Sequence, residues 1–287
     1  MKPYPFNLFH PKSFGIPSFI LSASMILLAL SCRASSFESI LRANGQVTFA
    51  PYIYGVREIA DRKPGYRSDL FIYMDLFRWN RWTFNLLTAN STLIAKSEET
   101  VFTLDKIRYT LSPGFRCEFR KWITTGLLLH ECIHTISRPE TNGSTWWNAF
   151  QIGGGTKGAY HFYLVDKYNT RDFTLSNSID VQVNADWYLR SGSSKWIAQN
   201  HHYRADVFGL VRYHFIPFGF RYFFADFQYR FWYDDYGKIT SKLALSVNAV
   251  FFAKANIATL YFIHCFRDEN PYDNEDGFGS VGLKIIF

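Results

Sequence analysis

The stretch SIDVQVNADWYL (178–189) alternates polar and apolar residues along its whole length. Its apolar set is Ile179, Val181, Val183, Ala185, Trp187 and Leu189. Its polar set is Ser178, Asp180, Gln182, Asn184, Asp186 and Tyr188. Because successive side chains of a β-strand point to opposite faces, this pattern predicts a strand with one apolar and one polar face.

The same pattern recurs along the chain from residue 46 to its last residue, as in KIRYTLSPGFRCEF (106–119) and ITSKLALSVNAVF (239–251). Strands of a soluble sandwich also alternate, but a long series of about ten-residue alternating segments separated by turns is typical of transmembrane β-barrels. We therefore predict an all-β fold, a single antiparallel transmembrane barrel of about twelve strands. The predicted strands are 46–54, 68–78, 82–95, 106–119, 122–136, 146–165, 176–189, 203–215, 219–232, 239–251, 257–266 and 278–287.

The lengths of the predicted connections support the barrel. If both termini are periplasmic, the connections after even-numbered strands should be short, and most are, as in WNR (79–81) and RK (120–121). The other connections are mostly longer, as in GVREIADRKPGYR (55–67). The exception on the short side is the connection after strand 6, DKYNTRDFTL (166–175), which is too long. Within strand 6 itself, GGGTKG (153–158) interrupts the alternation and suggests a bulge or bend.

The N-terminus has the composition of an export signal. Lys2 and Lys12 are followed by the short apolar stretch IPSFILSASMILLALS (16–31) and by small residues suited to cleavage. After it, no run approaches the ~20 apolar residues that a spanning helix needs. The sequence predicts a signal peptide at 1–34 and one barrel domain at 35–287.

The chain ends in FGSVGLKIIF (278–287), where Val281, Leu283, Ile285 and Phe287 share one face of the last strand. In this ending and in its alternation the sequence resembles Gram-negative outer-membrane β-barrel proteins, over roughly residues 40–287. The resemblance implies a location in the bacterial outer membrane, with outer-membrane lipids and lipopolysaccharide as partners. It also implies that the barrel assembly machinery reads Phe287.

The net charge does not indicate nucleic-acid binding. Removing Lys2, Lys12 and Arg33 with the signal lowers the formal charge from +7 to +4. The remaining excess is modest and is interleaved with acidic residues.

The polar faces of the strands place many charges in the barrel interior, or lumen: Asp69, Asp75, Arg108, Arg116, Asp180, Asp186, Arg204, Asp206, Arg212, Asp226, Arg230 and Lys242. Buried charges must be paired or hydrated. Mixed signs therefore predict ion pairs that brace the wall and narrow the lumen. The main functional interpretation is a structural or small-solute channel role for this barrel.

The stretch LLLHECIHTI (127–136) carries the most reactive residue types of the chain. On a strand, His130, Cys132 and His134 share one face, while Leu127, Leu129, Glu131 and Ile133 share the other. The second face is apolar apart from Glu131, so we expect the histidine and cysteine face to point into the lumen.

One hypothesis for this stretch is catalytic. Here the sequence resembles outer-membrane phospholipase A and the lipid A 3-O-deacylases, barrels with a His-x-Ser pair on one strand and a third polar residue on the next. The resemblance implies a lipid acyl hydrolase in which His130 is the base, Cys132 the nucleophile, and Asn148 or Gln151 the orienting group. Three features depart from it: cysteine replaces serine, the flanking motifs are absent, and the active residues of those families face lipid.

Two other hypotheses stay open for the same residues. His130, Cys132 and His134 are ligand types that suit zinc, although no fourth ligand is evident. The alternative is a structural role, with these side chains hydrogen-bonded in the lumen near Arg108.

Separately, the acidic stretch DENPYDNED (268–276) could bind calcium through its oxygens, but it lacks EF-hand spacing and fits a solvated outer loop better. Nothing in the sequence requires a cofactor. If a metal ion binds, calcium and zinc are the two candidates.

Overall fold

A computed structural model gives the structure of the protein. It describes residues 37–54, 63–96, 102–136, 143–160, 179–193, 203–215, 221–253, 256–270 and 275–287. Residues Glu38–Phe287 form one compact unit. The predicted signal peptide at 1–34 lies outside the described residues.

The barrel has twelve β-strands, as the alternation predicts. They are β1 (Phe37–Tyr54), β2 (Lys63–Trp79), β3 (Trp82–Lys96), β4 (Phe102–Glu118), β5 (Trp122–Thr135), β6 (Gly143–Thr156), β7 (Ile179–Ser193), β8 (Tyr203–His214), β9 (Arg221–Asp234), β10 (Ile239–Ala253), β11 (Asn256–Asp268) and β12 (Gly279–Ile286). Each strand lies beside the next in chain order, and β12 closes the barrel onto β1. The predicted fold class is confirmed.

The closing seam joins the two ends of the barrel domain. β1 and β12 pair antiparallel, with Phe49 opposite Leu283. The seam continues past β12, because Gly45 and Phe287 exchange two backbone hydrogen bonds of 2.9 Å. A Cβ at Gly45 would overlap the Phe287 ring, so the glycine leaves room for that ring beside β1.

The end of β6 differs from the prediction. The strand ends at Thr156 rather than at residue 165, and Lys157–Tyr160 form a turn. Tyr160 and Ala159 pack inside the barrel against Ile123 and Leu210. The glycines of 153–155 stay within the paired strand, and the β6–β7 register does not shift at them. Gly155 lets β7 approach closely, because a Cβ there would overlap the Val181 carbonyl.

The outer surface of the barrel is apolar. Exposed large side chains alternate with buried polar ones, as on β7, where Val183 is 55% exposed between Gln182 and Asn184. A soluble protein exposes only small contiguous apolar patches, whereas this surface runs around the wall, and a bilayer is the environment that covers it. Among the described residues, no helix is long and apolar enough to cross a membrane.

The described connections lie at two opposite rims of the barrel, which we call the turn end and the loop end. The turn end carries the two-residue turn between β2 and β3, the three-residue turn between β4 and β5, and Phe287. The loop end carries the β9–β10 connection and the acidic β11–β12 connection.

Candidate functional site on the outer face

The structure reverses the expected orientation of β5. Glu131 points inward, where its Oε1 accepts from Arg108 Nε at 3.2 Å. Ile133 is 3% exposed in an interior cluster with Trp147, Tyr203 and Trp232. His130, Cys132 and His134 therefore point outward, and the prediction that they face the lumen is wrong. Glu131 forms an ion pair in the interior and Ile133 packs there. These two contacts place the alternate side chains of β5 on the outer face.

His130 is held by the strand beside it. His130 and Asn148 are directly opposite in the β5–β6 register, and His130 Nδ1 lies 2.7 Å from Asn148 Oδ1. Because an amide oxygen only accepts hydrogen bonds, Nδ1 donates and Nε2 keeps its lone pair. The pair predicted from the sequence thus forms, and it leaves a basic nitrogen on the outer face.

The Cys132 thiol contacts His134 and not His130, the base that the resemblance implied. Cys132 Sγ lies 3.1 Å from His134 Nε2, within reach of proton transfer. The His134 ring makes an edge-to-face contact with Tyr109, with ring centroids 5.8 Å apart. Gln151, the other orienting residue considered, points inward and donates to Asp186 at 2.7 Å.

The surroundings of these residues are those of the bilayer-facing wall. Leu111 lies opposite His130 on β4 and is 48% exposed, and Leu128 on β5 is 55% exposed. Trp146 and Tyr109 flank Cys132 in the register. Unpaired polar groups are costly in contact with hydrocarbon, and the two hydrogen-bonded pairs reduce that cost. We refer to His130, Cys132, His134 and Asn148 as the outer-face cluster.

The predicted zinc site does not form. Within the described residues, no group of three histidine, cysteine, aspartate or glutamate side chains could hold a metal ion. His130 turns its Nδ1 to Asn148 across the strand pair, whereas Cys132 turns to His134, so the three side chains do not converge. Of the candidate calcium ligands, Asp273 lies outside the described residues, and Asp268 and Glu275 both accept from Lys242.

The lumen contains a dense ion-pair cluster centred on Arg230. Arg230 donates to Asp206 through Nε at 2.8 Å and through Nη2 at 2.6 Å, and it reaches Asp186 at 3.1 Å. Tyr188 donates its hydroxyl proton to Asp206 at 2.5 Å. Asp186 and Asp206 are each 2% exposed, and they lie opposite each other between β7 and β8. We refer to these residues as the Arg230 cluster.

The other predicted lumen charges are also paired inside the barrel, with the exception of Arg204. The pairs are Arg116 with Asp75, Arg212 with Asp226, His214 with Asp180, Arg108 with Glu131, Arg67 with Asp69, and Lys242 with Asp268 and Glu275. Arg204 is 60% exposed in its side chain and pairs with Asp235 at the loop end. Its placement in the lumen was wrong because the register shifts between Tyr203 and Ala205.

Apolar groups pack inside the barrel near both ends. Toward the loop end, Trp147, Tyr203 and Trp232 pack on Ile133, and at the turn end Tyr160 packs in the mouth. The described side chains leave space of about 380, 230 and 200 Å³ in three adjoining parts of the lumen, all lined in part by Gln228. The interior is thus braced by ion pairs and narrowed by packed aromatic side chains.

The sequence analysis did not predict several residues that form ion pairs inside the barrel. Glu131 was placed on the lipid side, and Glu275 and His214 were not identified as ion-pair partners. Arg108 was predicted to lie in the lumen, so an acidic partner on the adjacent strand was to be expected, and this was the signal for Glu131. Glu275 lies in an irregular connection, where alternation gives no side-chain direction.

No family model matches the chain, and no curated protein matches it in sequence. Among solved structures, it is similar to an outer membrane channel from Pseudomonas putida F1, with a TM-score of 0.52 and 11% identity over 87% of this chain and 97% of that one. It is also similar to outer membrane phospholipase A from Escherichia coli, with a TM-score of 0.49 and 9% identity over 87% and 94% of the two chains. The β domain of the Bordetella autotransporter BrkA matches with a TM-score of 0.45 and 12% identity over 85% and 98%. At 11% identity the likeness to the Pseudomonas channel concerns the fold alone, and it agrees with the closed twelve-stranded β-barrel predicted from the sequence.

Proposed function

We propose that this barrel is a lipid acyl hydrolase whose active site is the outer-face cluster. The observation that carries the proposal is the contact of 3.1 Å between Cys132 Sγ and His134 Nε2 on the bilayer-facing wall. A nucleophile within hydrogen-bond reach of a base is the minimal unit of covalent acyl transfer. The outward orientation also removes one departure from the resembling hydrolases, whose active residues face lipid.

In the acylation step, His134 Nε2 takes the proton of the Cys132 thiol, and the thiolate attacks the carbonyl carbon of a lipid ester. The tetrahedral intermediate collapses by breaking the bond to the alcohol oxygen. The imidazolium of His134 returns the proton to that oxygen. The products are a free alcohol and a thioester between the acyl chain and Cys132.

In the deacylation step, we assign the base to His130. Its Nδ1 donates to Asn148, so Nε2 is free to take a proton from water while the water oxygen attacks the thioester carbonyl. The carbon–sulfur bond breaks, and the proton passes to the thiolate. The net reaction is ester plus water giving fatty acid plus alcohol, with the enzyme unchanged.

The lumen has a supporting role in this proposal. Ion pairs such as Arg116 with Asp75 and Arg212 with Asp226 connect neighbouring or nearby strands across the interior. Their mixed signs and the aromatic packing near both ends of the lumen support a narrow, braced scaffold better than an open small-solute pathway. The barrel holds the outer-face cluster rigid while the substrate enters from the bilayer.

The test is fatty-acid release by the purified, folded barrel in mixed micelles of detergent and lipid ester. We expect Cys132→Ala and His134→Ala each to abolish release, because nucleophile and base act as a unit. Cys132→Ser should retain weak activity through the same base. The matched controls are Cys117→Ala, a free cysteine at the turn end, and His264→Ala, a histidine on the opposite wall that packs on Phe266; both should leave release unchanged.

Two outcomes would contradict the proposal. One is release that survives Cys132→Ala in a folded barrel, and the other is no release from any phospholipid, lipid A or neutral ester. Folding is checked independently by heat-dependent gel mobility, so that a loss of activity is not confused with a loss of structure.

We also propose that outer-membrane lipids and lipopolysaccharide surround the wall and that the assembly machinery reads Phe287. The resemblance of the last strand supports the second point, and the aromatic ring is 43% exposed beside β1. Phe287→Ala should lower the amount of barrel in outer-membrane fractions while refolding of the purified chain stays unchanged. Equal outer-membrane amounts would overturn this assignment.

A further inference from the structure

A cation lies on the bilayer-facing wall directly beside the outer-face cluster. Arg190 of β7 is opposite Asn148 of β6, and Asn148 is opposite His130 of β5. With a strand spacing of ~4.8 Å, the Arg190 backbone lies about 10 Å from that of His130. Arg190 is exposed, and it makes no ion pair with any carboxylate of the described residues.

A register irregularity puts Arg190 on this wall. Asp186 and Tyr188 point into the lumen, so simple alternation would send Arg190 inward as well. The register shifts between Asn148 and Ala149, where Leu189 is the extra residue of β7, and Arg190 therefore turns outward. Bulges next to functional sites commonly re-aim one side chain in this way.

The Arg190 head group is held by an aromatic ring. Its guanidinium lies over the Trp146 ring, 5.7 Å from the centroid. The indole can lie there because Gly192 is opposite Trp146, and a Cβ at Gly192 would come within 2.7 Å of the ring. A guanidinium stacked on tryptophan keeps its hydrogen-bond donors directed at an external ligand.

We propose that Arg190 and Trp146 form a binding site for the phosphate group of a membrane lipid. A planar guanidinium binds phosphate through two parallel hydrogen bonds, and its position on the hydrocarbon-facing wall selects a lipid as the carrier of that phosphate. Arg190 lies three residues from the last residue of β7, Ser193, roughly 10 Å along the strand from the loop-end rim. The site does not depend on hydrolysis, although a lipid held there would have its ester region beside His130.

The test is lipid retention by the folded full-length barrel in native mass spectrometry, with phosphatidic acid and diacylglycerol of the same acyl chains as probes. We expect retention of phosphatidic acid over diacylglycerol, and an approximately tenfold weaker retention of phosphatidic acid for Arg190→Gln. Arg190→Lys should be intermediate, because a lysine carries the charge but not the bidentate geometry. Inorganic phosphate added as a competitor should displace little lipid, since it lacks the acyl chains.

The matched control is Arg204→Gln, which removes an exposed arginine of the same rim that already pairs with Asp235. It should leave retention unchanged. Retention equal for the two lipids, or equal for wild type and Arg190→Gln, overturns the phosphate site. The same binding measurement on Cys132→Ala separates the two proposals, because a failure of hydrolysis leaves this binding result unaffected.

Discussion

The Arg230 cluster offers the sharpest test of the braced lumen. Replacing Arg230 with methionine keeps much of the apolar stem but removes the three hydrogen bonds to Asp206 and Asp186. The two carboxylates then face each other, each 2% exposed, without a cation. Breaking a buried pair by removing one partner costs about 3–5 kcal/mol, and we expect a loss at the lower end of this range in the free energy of unfolding, because the Arg230 side chain is 34% exposed.

The assay is equilibrium urea unfolding in lipid vesicles, followed by tryptophan fluorescence and gel mobility. Adding Asp186→Leu and Asp206→Leu to Arg230→Met should restore most of the loss, since an apolar replacement of a whole buried ion cluster is often neutral or stabilising. Arg204→Met, at an exposed pair, should leave the urea midpoint in place. A loss below about 1 kcal/mol for Arg230→Met would refute the reasoning, because it would mean that the carboxylates find water or other partners.

Three further predictions concern other parts of the barrel. A Cβ at Gly158 would overlap the carboxylate of Asp180, so Gly158→Ala should destabilise the barrel by about 1–3 kcal/mol in urea. Gly209→Ala should cost less, because its Cβ would come no closer than 3.9 Å to the Tyr229 carbonyl oxygen. Equal effects would contradict the tight turn-end packing. In planar bilayers the wild-type barrel should give only small, infrequent openings, because ion pairs and packed aromatic side chains narrow the lumen. Large steady conductance would contradict the braced lumen. At the loop end, the hydrogen bond from the Arg267 guanidinium holds the pKa of Glu269 below its ordinary value. The interaction therefore contributes stability at neutral pH, and this stability is lost as the pH falls and the carboxylate is protonated. Arg267→Gln should raise the pKa of Glu269 measured by NMR, and an unchanged titration would refute the pairing.

Alternation predicts the strands and the barrel well because period two is a local property of each strand. The β7 pattern from Ile179 to Leu189 gives the correct faces, and the predicted start and end of β3 and β10 agree with the structure to within two residues. The direction of a side chain can no longer be predicted where a register shift interrupts the alternation. Arg190 changes face at the bulge, and Arg204 changes face at the register shift near Tyr203.

The orientation of β5 could not be predicted from its own residues. Both faces contain polar and apolar side chains, so the balance of hydropathy between them is small. The ion pair of Glu131 with Arg108 and the packing of Ile133 on Trp147 decide it, and both are contacts with other strands. The pairing of His130 with Asn148 was accessible from sequence because the two strands are consecutive.

Intact-protein mass spectrometry of Cys132 tests the central claim most directly. The folded His130→Ala barrel, incubated with a lipid ester, should gain the mass of one acyl chain, because His134 can still promote acylation while deacylation lacks its base. Peptide mapping should place the acyl group on Cys132, hydroxylamine should remove it, and Cys132→Ala should gain nothing. The assignment of Cys132 as the nucleophile would be contradicted by two results together: the mass of the His130→Ala barrel stays unchanged, and Cys132→Ala releases fatty acid at the wild-type rate.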